Sequence, residues 1–248
     1  MNHDREDIRQ RIAVACRVLG RLELTKAATG HVSARVGDSG RLLIRARGAD
    51  ELGVRYTSVD QVIECDMDGH AVGAAKGLAS PQEVFIHTAL YRARPEVQAV
   101  VHIHPPTVVL FTICDKPLLP LYGAYDPAST GMALDGIPVY PRAILINSPS
   151  LGSDLAAAME DAPVCMMRGH GITTVGRSVE DAALNAIRLN ELALMNYQAN
   201  LLGGARPISE EDQTAFDEYR PSRSESDVTA AAARAAALWR YYVALTGS

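Results

Sequence analysis

Three histidines stand at spacings that suit a metal ion. His102 and His104 are two residues apart in segment 101–105, which has the composition of a strand end. Because side chains alternate along a strand, both imidazoles fall on one face, with Cβ atoms about 6.5–7 Å apart at a rise of ~3.3 Å per residue. His170 lies between two glycines in a predicted tight turn, where the backbone can bring a third imidazole close. Together they predict a site for one divalent ion, although histidines in a strand can also simply pack.

A carboxylate precedes this pair along the chain. Glu83 follows Ser80 and Pro81 in a pattern typical of a helix start, with serine as N-cap, proline at the first position and glutamate at the third. Glu83 therefore has two interpretations, a helix cap or an acid or base beside the metal. His87, one helical turn later, could pair with it. Spacing alone leaves both interpretations open.

The elements that must position these residues alternate between strands and helices. We expect strands at 32–36, 42–46, 61–65, 71–73, 97–104, 138–146, 164–168 and 172–175, and helices at 7–19, 81–94, 153–159, 180–202 and 226–245. This order predicts one α/β domain over residues 1–205, with helices covering a sheet, and a C-terminal helical tail over residues 206–248.

Composition narrows the function classes. The 248 residues are 48% hydrophobic and carry 24 Lys and Arg against 29 Asp and Glu, a net charge of −5. An acidic chain without a basic block is a poor candidate for binding nucleic acid or a membrane surface. The charged start and the lack of an apolar run of about 18 residues argue against a secretory signal and a membrane span. The four cysteines lie far apart, so we expect reduced thiols and a cytoplasmic protein.

Four motifs taken together resemble the class II aldolase/adducin family. They are Gly-His-Val-Ser-Ala-Arg at 30–35, Glu83 with His87, Val-Val-His-Ile-His-Pro at 100–105 and Arg-Gly-His-Gly at 168–171, and the resemblance covers roughly residues 8–202. It implies an α/β fold, a three-layer α/β/α sandwich around a mixed, largely antiparallel sheet. It also implies a homotetramer with sites at subunit boundaries.

The resemblance assigns roles to individual positions. It implies that His102, His104 and His170 bind one divalent metal ion per subunit, which could be Mn, Fe, Co or Zn. It implies that Glu83 is the catalytic acid or base, and it leaves open whether Glu83 is also a fourth ligand. Tyr122 lies 122 − 102 = 20 residues after the first ligand, where the family's aldolases place a proton-donating tyrosine from a neighbouring subunit. Tyr122 is therefore expected to be catalytic; the alternative is a packed interface tyrosine.

The chain departs from the family's sugar-phosphate enzymes where these hold the phosphate. His31 stands in place of an asparagine, and Arg-Ala-Arg-Gly at 45–48 replaces a serine–glycine segment. Pro81 cannot donate a backbone hydrogen bond, so the phosphate cradle is largely dismantled. Arg45 and Arg47, two apart on a predicted strand, would share one face, and guanidinium groups suit carboxylates. We expect Arg45, Arg47 and Gly48 to bind substrate, unless both arginines are solvated residues of a strand edge.

An arginine-lined site with three histidines is similar to the family's aromatic-acid decarboxylases. This implies metal-dependent decarboxylation of a hydroxylated aromatic (di)carboxylic acid such as 3,4-dihydroxyphthalate, in aromatic catabolism. The metal would stabilise oxyanion charge while Glu83 or His31 protonates the ring. The alternatives are a class II aldolase or epimerase acting on a small hydroxy-carbonyl or sugar-phosphate substrate, a noncatalytic adducin-like module, and an iron-dependent oxygenase.

An oligomer follows from the expected sharing of the site. A site that borrows residues from a neighbouring subunit requires a homo-oligomer, most simply a cyclic tetramer. The residues expected to be shared are Tyr122 and four positions of the tail, namely Arg220, Trp239, Tyr241 and Tyr242.

Overall fold

A computed structural model describes residues 2–219 and 225–247 of the chain. Its α-helices are α1 (Asn2–Arg21), α2 (Val84–Ala93), α3 (Pro106–Ile113), α4 (Pro127–Leu134), α5 (Pro149–Met159), α6 (Val179–Leu201), α7 (Glu210–Tyr219) and α8 (Glu225–Ala244). Its strands are β1 (His31–Arg35), β2 (Arg41–Arg45), β3 (Arg47–Gly48), β4 (Val62–Asp66), β5 (Ala71–Val72), β6 (Leu78–Ala79), β7 (Ala99–Ile103), β8 (Val139–Tyr140), β9 (Val164–Met167) and β10 (Gly171–Gly176).

One large sheet organises the molecule. Eight strands are joined in the order β5-β4-β2-β1-β7-β10-β9-β8, while β3 and β6 form a separate short ladder. Neighbours in the large sheet are antiparallel except β8 and β9, which run parallel. Strand β7 lies near the centre, with β1 paired on one side and β10 on the other. The predicted mixed, largely antiparallel sheet is confirmed.

Helices cover both faces of this sheet. On one face, α1, α3 and α6 pack against alternate strand residues such as Val101 and Ile103. On the other, α2 and α5 pack against the intervening residues, of which Val100 is one. Because side chains alternate along β7, His102 shares the face of Val100 and points toward the α2 layer. The three-layer α/β/α sandwich is therefore confirmed.

The region beyond residue 205 contains helices α7 and α8. Helix α8 returns to the main body, where Tyr242 is buried and its hydroxyl donates a hydrogen bond to Glu191 of α6 at 2.9 Å. Trp239 packs partly buried on the same cluster, whereas Tyr241 is 59% exposed. Arg220 lies outside the described residues. Among the described helices, none is both long enough and apolar enough to cross a membrane.

Several predicted boundaries are wrong, and two of them have a clear physical reason. The strand expected at 138–146 is limited to Val139–Tyr140, because Pro141 follows and proline cannot donate to a ladder. Helix α2 begins at Val84 rather than at Pro81, and no side-chain hydrogen bond caps it. The capping box is therefore wrong, since Glu83 uses its carboxylate to accept the backbone N–H of Ile146 at 2.9 Å.

Candidate metal centre

Four side chains converge where β7 ends. They are Glu83, His102, His104 and His170, whose candidate ligand atoms all lie within 4.8 Å of one another. His102 Nε2 is 2.9 Å from His104 Nε2 and 3.5 Å from Glu83 Oε2. Glu83 Oε1 is 3.4 Å from His170 Nε2. The structure thus brings together the three histidines and the carboxylate that the sequence singled out.

The backbone explains how His170 reaches the other two histidines. It occupies the turn between β9 and β10, with Gly169 in the left-handed region at φ +58°. A Cβ added at Gly171 would stand 2.4 Å from the carbonyl oxygen of Ile103 and 2.6 Å from the His104 ring. Real Cβ atoms do not approach backbone so closely, so the glycine is what allows the turn to lie against β7.

Glu83 is buried, with only 6% of its surface exposed, and its carboxylate is ionised. Burial by itself raises the pKa of Glu83. The hydrogen-bonding contacts with His102 and His170, together with the Ile146 amide, outweigh burial and hold that pKa below its ordinary range. The carboxylate therefore offers negative charge to the histidine cluster at neutral pH.

Two of the histidines are shifted toward the neutral form that a metal ligand requires. Burial lowers the pKa of His102, and it lowers the pKa of His104 to about 3. The Nε2 atoms of these two rings face each other at 2.9 Å, as two ligands of one ion would. Thr173 Oγ1 stands 3.4 Å from His102 Nδ1, on the ring edge away from the cluster. Three imidazole nitrogens and one carboxylate fit a divalent metal ion.

A second pair of histidines adjoins this cluster. His31 faces His102 across the β1–β7 ladder, with ring centroids 5.1 Å apart. His31 Nδ1 lies 2.7 Å from His87 Nε2, and His87 Nδ1 lies 2.6 Å from Ser33 Oγ. His87 is therefore the partner of His31 and not of Glu83, which the helical spacing alone had suggested. The β1–β7 register that places His31 beside His102 has no signal in either local motif.

The predicted arginine face is wrong. Arg45 ends β2, is 3% exposed, and donates through Nε to Thr57, through Nη1 to the carbonyls of Ala28 and Gly30, and through Nη2 to Glu51. Arg47 begins β3, which pairs with β6 instead of continuing the large sheet, so the two guanidinium groups do not share a strand face.

The two arginines are therefore in different surroundings. With every guanidinium nitrogen already hydrogen-bonded, Arg45 holds the loop that leads into His31 rather than a substrate carboxylate. Arg47 is exposed and donates to the carbonyl of Ser80 at 3.0 Å, three positions before Glu83. Gly48 pairs with Leu78 in the same short ladder.

This arrangement predicts that the two arginines contribute very different amounts to the free energy of unfolding. Arg45→Ala should destabilise the fold by about 3 kcal/mol, because Glu51 loses its buried partner and two carbonyls lose a donor. For a chain of this size that corresponds to a fall of roughly 6–12 °C in the thermal midpoint. The exposed Arg47→Ala is the matched control and should change stability by less than about 0.5 kcal/mol. Differential scanning calorimetry checks both, and a stable Arg45→Ala protein would contradict the structural role.

Tyr122 lies apart from the cluster within this chain. Its ring is 5.2 Å from that of Tyr125, and its carbonyl accepts the Thr130 hydroxyl. Burial, assisted by the charge of Asp126, raises the pKa of Tyr122 to about 12. Among the described residues, Tyr122 makes no hydrogen bond or ring contact with Glu83 or the three clustered histidines.

Known proteins share this sequence pattern. The profile of the Class II Aldolase and Adducin N-terminal domain matches residues 10–197. The chain is 40% identical over 200 residues to a 3,4-dihydroxyphthalate decarboxylase of Arthrobacter keyseri, which covers 79% of this chain and 80% of that protein. It is 37% identical over 242 residues to one of Terrabacter sp. (strain DBF63), which covers 96% of this chain and 97% of that protein.

A solved structure supports the fold. The L-fuculose 1-phosphate aldolase from Glaciozyma antarctica PI12 superposes with a TM-score of 0.78 over 98% of this chain and 91% of that chain, at 20% identity. Such identity speaks for the architecture alone. The profile match, the relatives and the shared architecture confirm the resemblance, and the chain belongs to the class II aldolase and adducin family.

Proposed function

We propose that this protein is a metal-dependent carboxy-lyase that decarboxylates a hydroxylated aromatic dicarboxylic acid such as 3,4-dihydroxyphthalate. The observation that carries the proposal is the convergence of Glu83 with His102, His104 and His170, found in a chain whose relatives of 37–40% identity are named for that reaction. The bound ion is proposed to be one Mn, Fe, Co or Zn per subunit, because imidazole and carboxylate ligands suit all four.

The chain's own groups account for the proton movements. A divalent ion held by the three histidines would supply a Lewis acid that stabilises negative charge on substrate oxygens. Glu83, ionised and within 3.5 Å of His102, is placed to take the proton of a substrate hydroxyl. As the carboxylate leaves as CO₂, its bonding electron pair stays on the ring carbon, which receives the proton held by Glu83. Solvent then returns a proton to the hydroxyl oxygen, so the charges balance.

A panel of substrates tests the reaction class. We expect CO₂ release from 3,4-dihydroxyphthalate by the metal-loaded protein. Phthalate, which keeps both carboxylates but lacks the hydroxyls, should be at least about 10²-fold slower because it offers no hydroxyl proton to a general base. Release of CO₂ is measured by a coupled or manometric assay. Cleavage of L-fuculose 1-phosphate with no CO₂ from the dihydroxy acid would overturn the proposal in favour of an aldolase.

We also propose that the active protein is a cytoplasmic homotetramer with residues 1–205 as the catalytic domain and 206–248 as a helical tail. Tyr122 is proposed to serve the site of a neighbouring subunit, which is supported by its local contacts away from the cluster in its own chain. The exposed Tyr125 beside it, 78% accessible, is available to an adjoining surface.

Mixed oligomers test whether Tyr122 acts across subunits. Tyr122→Phe and His102→Ala proteins are each expected to be nearly inactive. Refolding them together should restore activity. In a random mixture, about a quarter of the sites would combine an intact His102 from one subunit with an intact Tyr122 from its neighbour. Co-refolding with Tyr125→Phe in place of Tyr122→Phe controls for loss of a neighbouring hydroxyl. No recovery in a mixture that light scattering shows to be hetero-oligomeric would refute action in trans.

A further inference from the structure

A chain of four buried polar side chains leads from the site into the protein interior. Hydrogen bonds join His31 Nδ1 to His87 Nε2 at 2.7 Å, His87 Nδ1 to Ser33 Oγ at 2.6 Å, and Ser33 Oγ to the Tyr91 hydroxyl at 2.8 Å. Ser33 and His87 are 0% exposed, Tyr91 is 2% and His31 is 7%. His31 is therefore the open end of the chain, and it is also the end beside His102.

The hydrogens of this chain have two possible directions. In the first, the Tyr91 hydroxyl donates to Ser33, Ser33 donates to His87 Nδ1, and His87 donates from Nε2 to His31 Nδ1. In the second, every bond is reversed and Ser33 donates to Tyr91. The Tyr91 hydrogen then has no acceptor, because Ser33 Oγ is the acceptor within its reach in the described part of the chain. A buried hydrogen without an acceptor is costly, so the first direction is favoured.

The protonation of each group agrees with the first direction. The first direction also fixes the charge of both rings. His87 Nδ1 and His31 Nδ1 each accept a hydrogen bond, so neither imidazole carries a second N–H. Burial raises the pKa of Tyr91, which keeps its hydrogen. A neutral imidazole carries a single N–H. Because Nδ1 of His31 accepts a hydrogen bond, its N–H is on Nε2.

We propose that Ser33 and His87 are positioning residues that hold His31 as its Nε2–H tautomer, so that His31 meets substrate as a neutral hydrogen-bond donor. His31 Nε2 has no hydrogen-bond partner among the described residues, which leaves it available to a ligand. The acceptor, in a step that rests on the proposed function, is a carboxylate oxygen of the aromatic diacid.

A neutral donor suits this reaction better than a cation. The carboxylate that leaves as CO₂ loses its negative charge on the way to the transition state. A guanidinium would stabilise the charged ground state most strongly, whereas an imidazole N–H orients the same oxygen with a smaller charge interaction. His31 would therefore bind the substrate carboxylate, the role that the sequence had suggested for Arg45.

The tautomer can be observed directly by nitrogen NMR. In ¹⁵N-histidine-labelled protein loaded with diamagnetic zinc, long-range proton–nitrogen spectra distinguish a protonated from an unprotonated ring nitrogen. A His31→Gln variant identifies the His31 signals. We expect a protonated Nε2 and an unprotonated Nδ1 in the wild type. In Ser33→Ala, neither direction gives His87 Nδ1 a partner, so we expect both His31 tautomers and a two- to tenfold fall in kcat/KM.

Tyr140→Phe is the matched control. Tyr140 belongs to the same core cluster as Tyr91 and is as deeply buried, but its hydroxyl has no hydrogen-bond partner among the described residues. Its removal should leave the His31 spectrum unchanged. A protonated Nδ1 on wild-type His31, or an unchanged tautomer in Ser33→Ala, would overturn the proposal. A protonated Nε2 in a protein that releases no CO₂ from aromatic diacids supports it and refutes only the proposed function.

Discussion

Replacement of His102 or His104 by alanine is expected to remove both the bound metal and turnover. Each variant leaves two imidazoles and one carboxylate in a buried cluster whose ligand atoms lie within 4.8 Å of one another. Loss of an outer-shell partner alone typically costs 10–100-fold in metal affinity or activity, so loss of a ligand should exceed about 10³-fold. Metal content by plasma mass spectrometry and kcat/KM with the dihydroxy acid measure the two effects.

His70→Ala is the matched histidine control. His70 is 79% exposed, pairs with Asp66 at the surface and is not among the four converging residues. It should retain full metal content and activity. Full metal occupancy in the His102→Ala, His104→Ala double variant would exclude this cluster as the metal site, whatever happened to turnover.

Glu83→Gln is expected to produce a folded protein that holds metal and scarcely turns over. Glutamine keeps an oxygen that can accept the Ile146 N–H, so the local backbone should be preserved. The three imidazoles retain most of the metal affinity. Removing the acid–base group should lower kcat by about 10²–10⁴-fold, the range typical of general acid–base catalysis. Stopped-time CO₂ assays and metal analysis of the same preparation separate the two quantities.

Two further variants sharpen this test. Glu83→Asp keeps the charge but shortens the side chain, so partial activity would point to proton transfer limited by distance. Glu96→Gln removes an exposed carboxylate paired with Arg94 and should change nothing. If Glu83→Gln loses its metal, Glu83 acts chiefly as a ligand. If it keeps wild-type kcat, Glu83 is neither ligand nor base.

The sequence predicted the family and the layers of the fold because those depend on local patterns. Alternation in strands and capped helical stripes placed most of the sheet and the long helix α6 within a few residues. The His102, His104 and His170 positions came from period two and from glycines whose role is geometric: Gly171 permits the approach of its turn to Ile103. Their metal binding stays a prediction until an ion is measured.

What the sequence could not predict depends on contacts between distant segments. The sequence suggested that Arg45 binds a substrate carboxylate together with Arg47. In the structure, the partners of Arg45 lie in the loop before His31 and at Thr57. No local sequence pattern indicates a buried ion pair. Glu83 fits a capping box in the sequence, but in the structure its carboxylate accepts a hydrogen bond from the Ile146 amide, 63 positions later. The short helices α3 and α4 begin at prolines in segments with weak periodicity, so they were not predicted either.

The central position of β7 links the metal to the lifetime of the folded chain. The four converging residues span positions 83–170, and β7 is bonded on both edges, so local fraying cannot release His102 without breaking a central ladder. Amide hydrogens of β7 should accordingly exchange only through global opening. An ion at about a thousand times its dissociation constant would add about 4 kcal/mol against that opening. Metal supply would then set how long each chain escapes proteolysis as well as how fast it works.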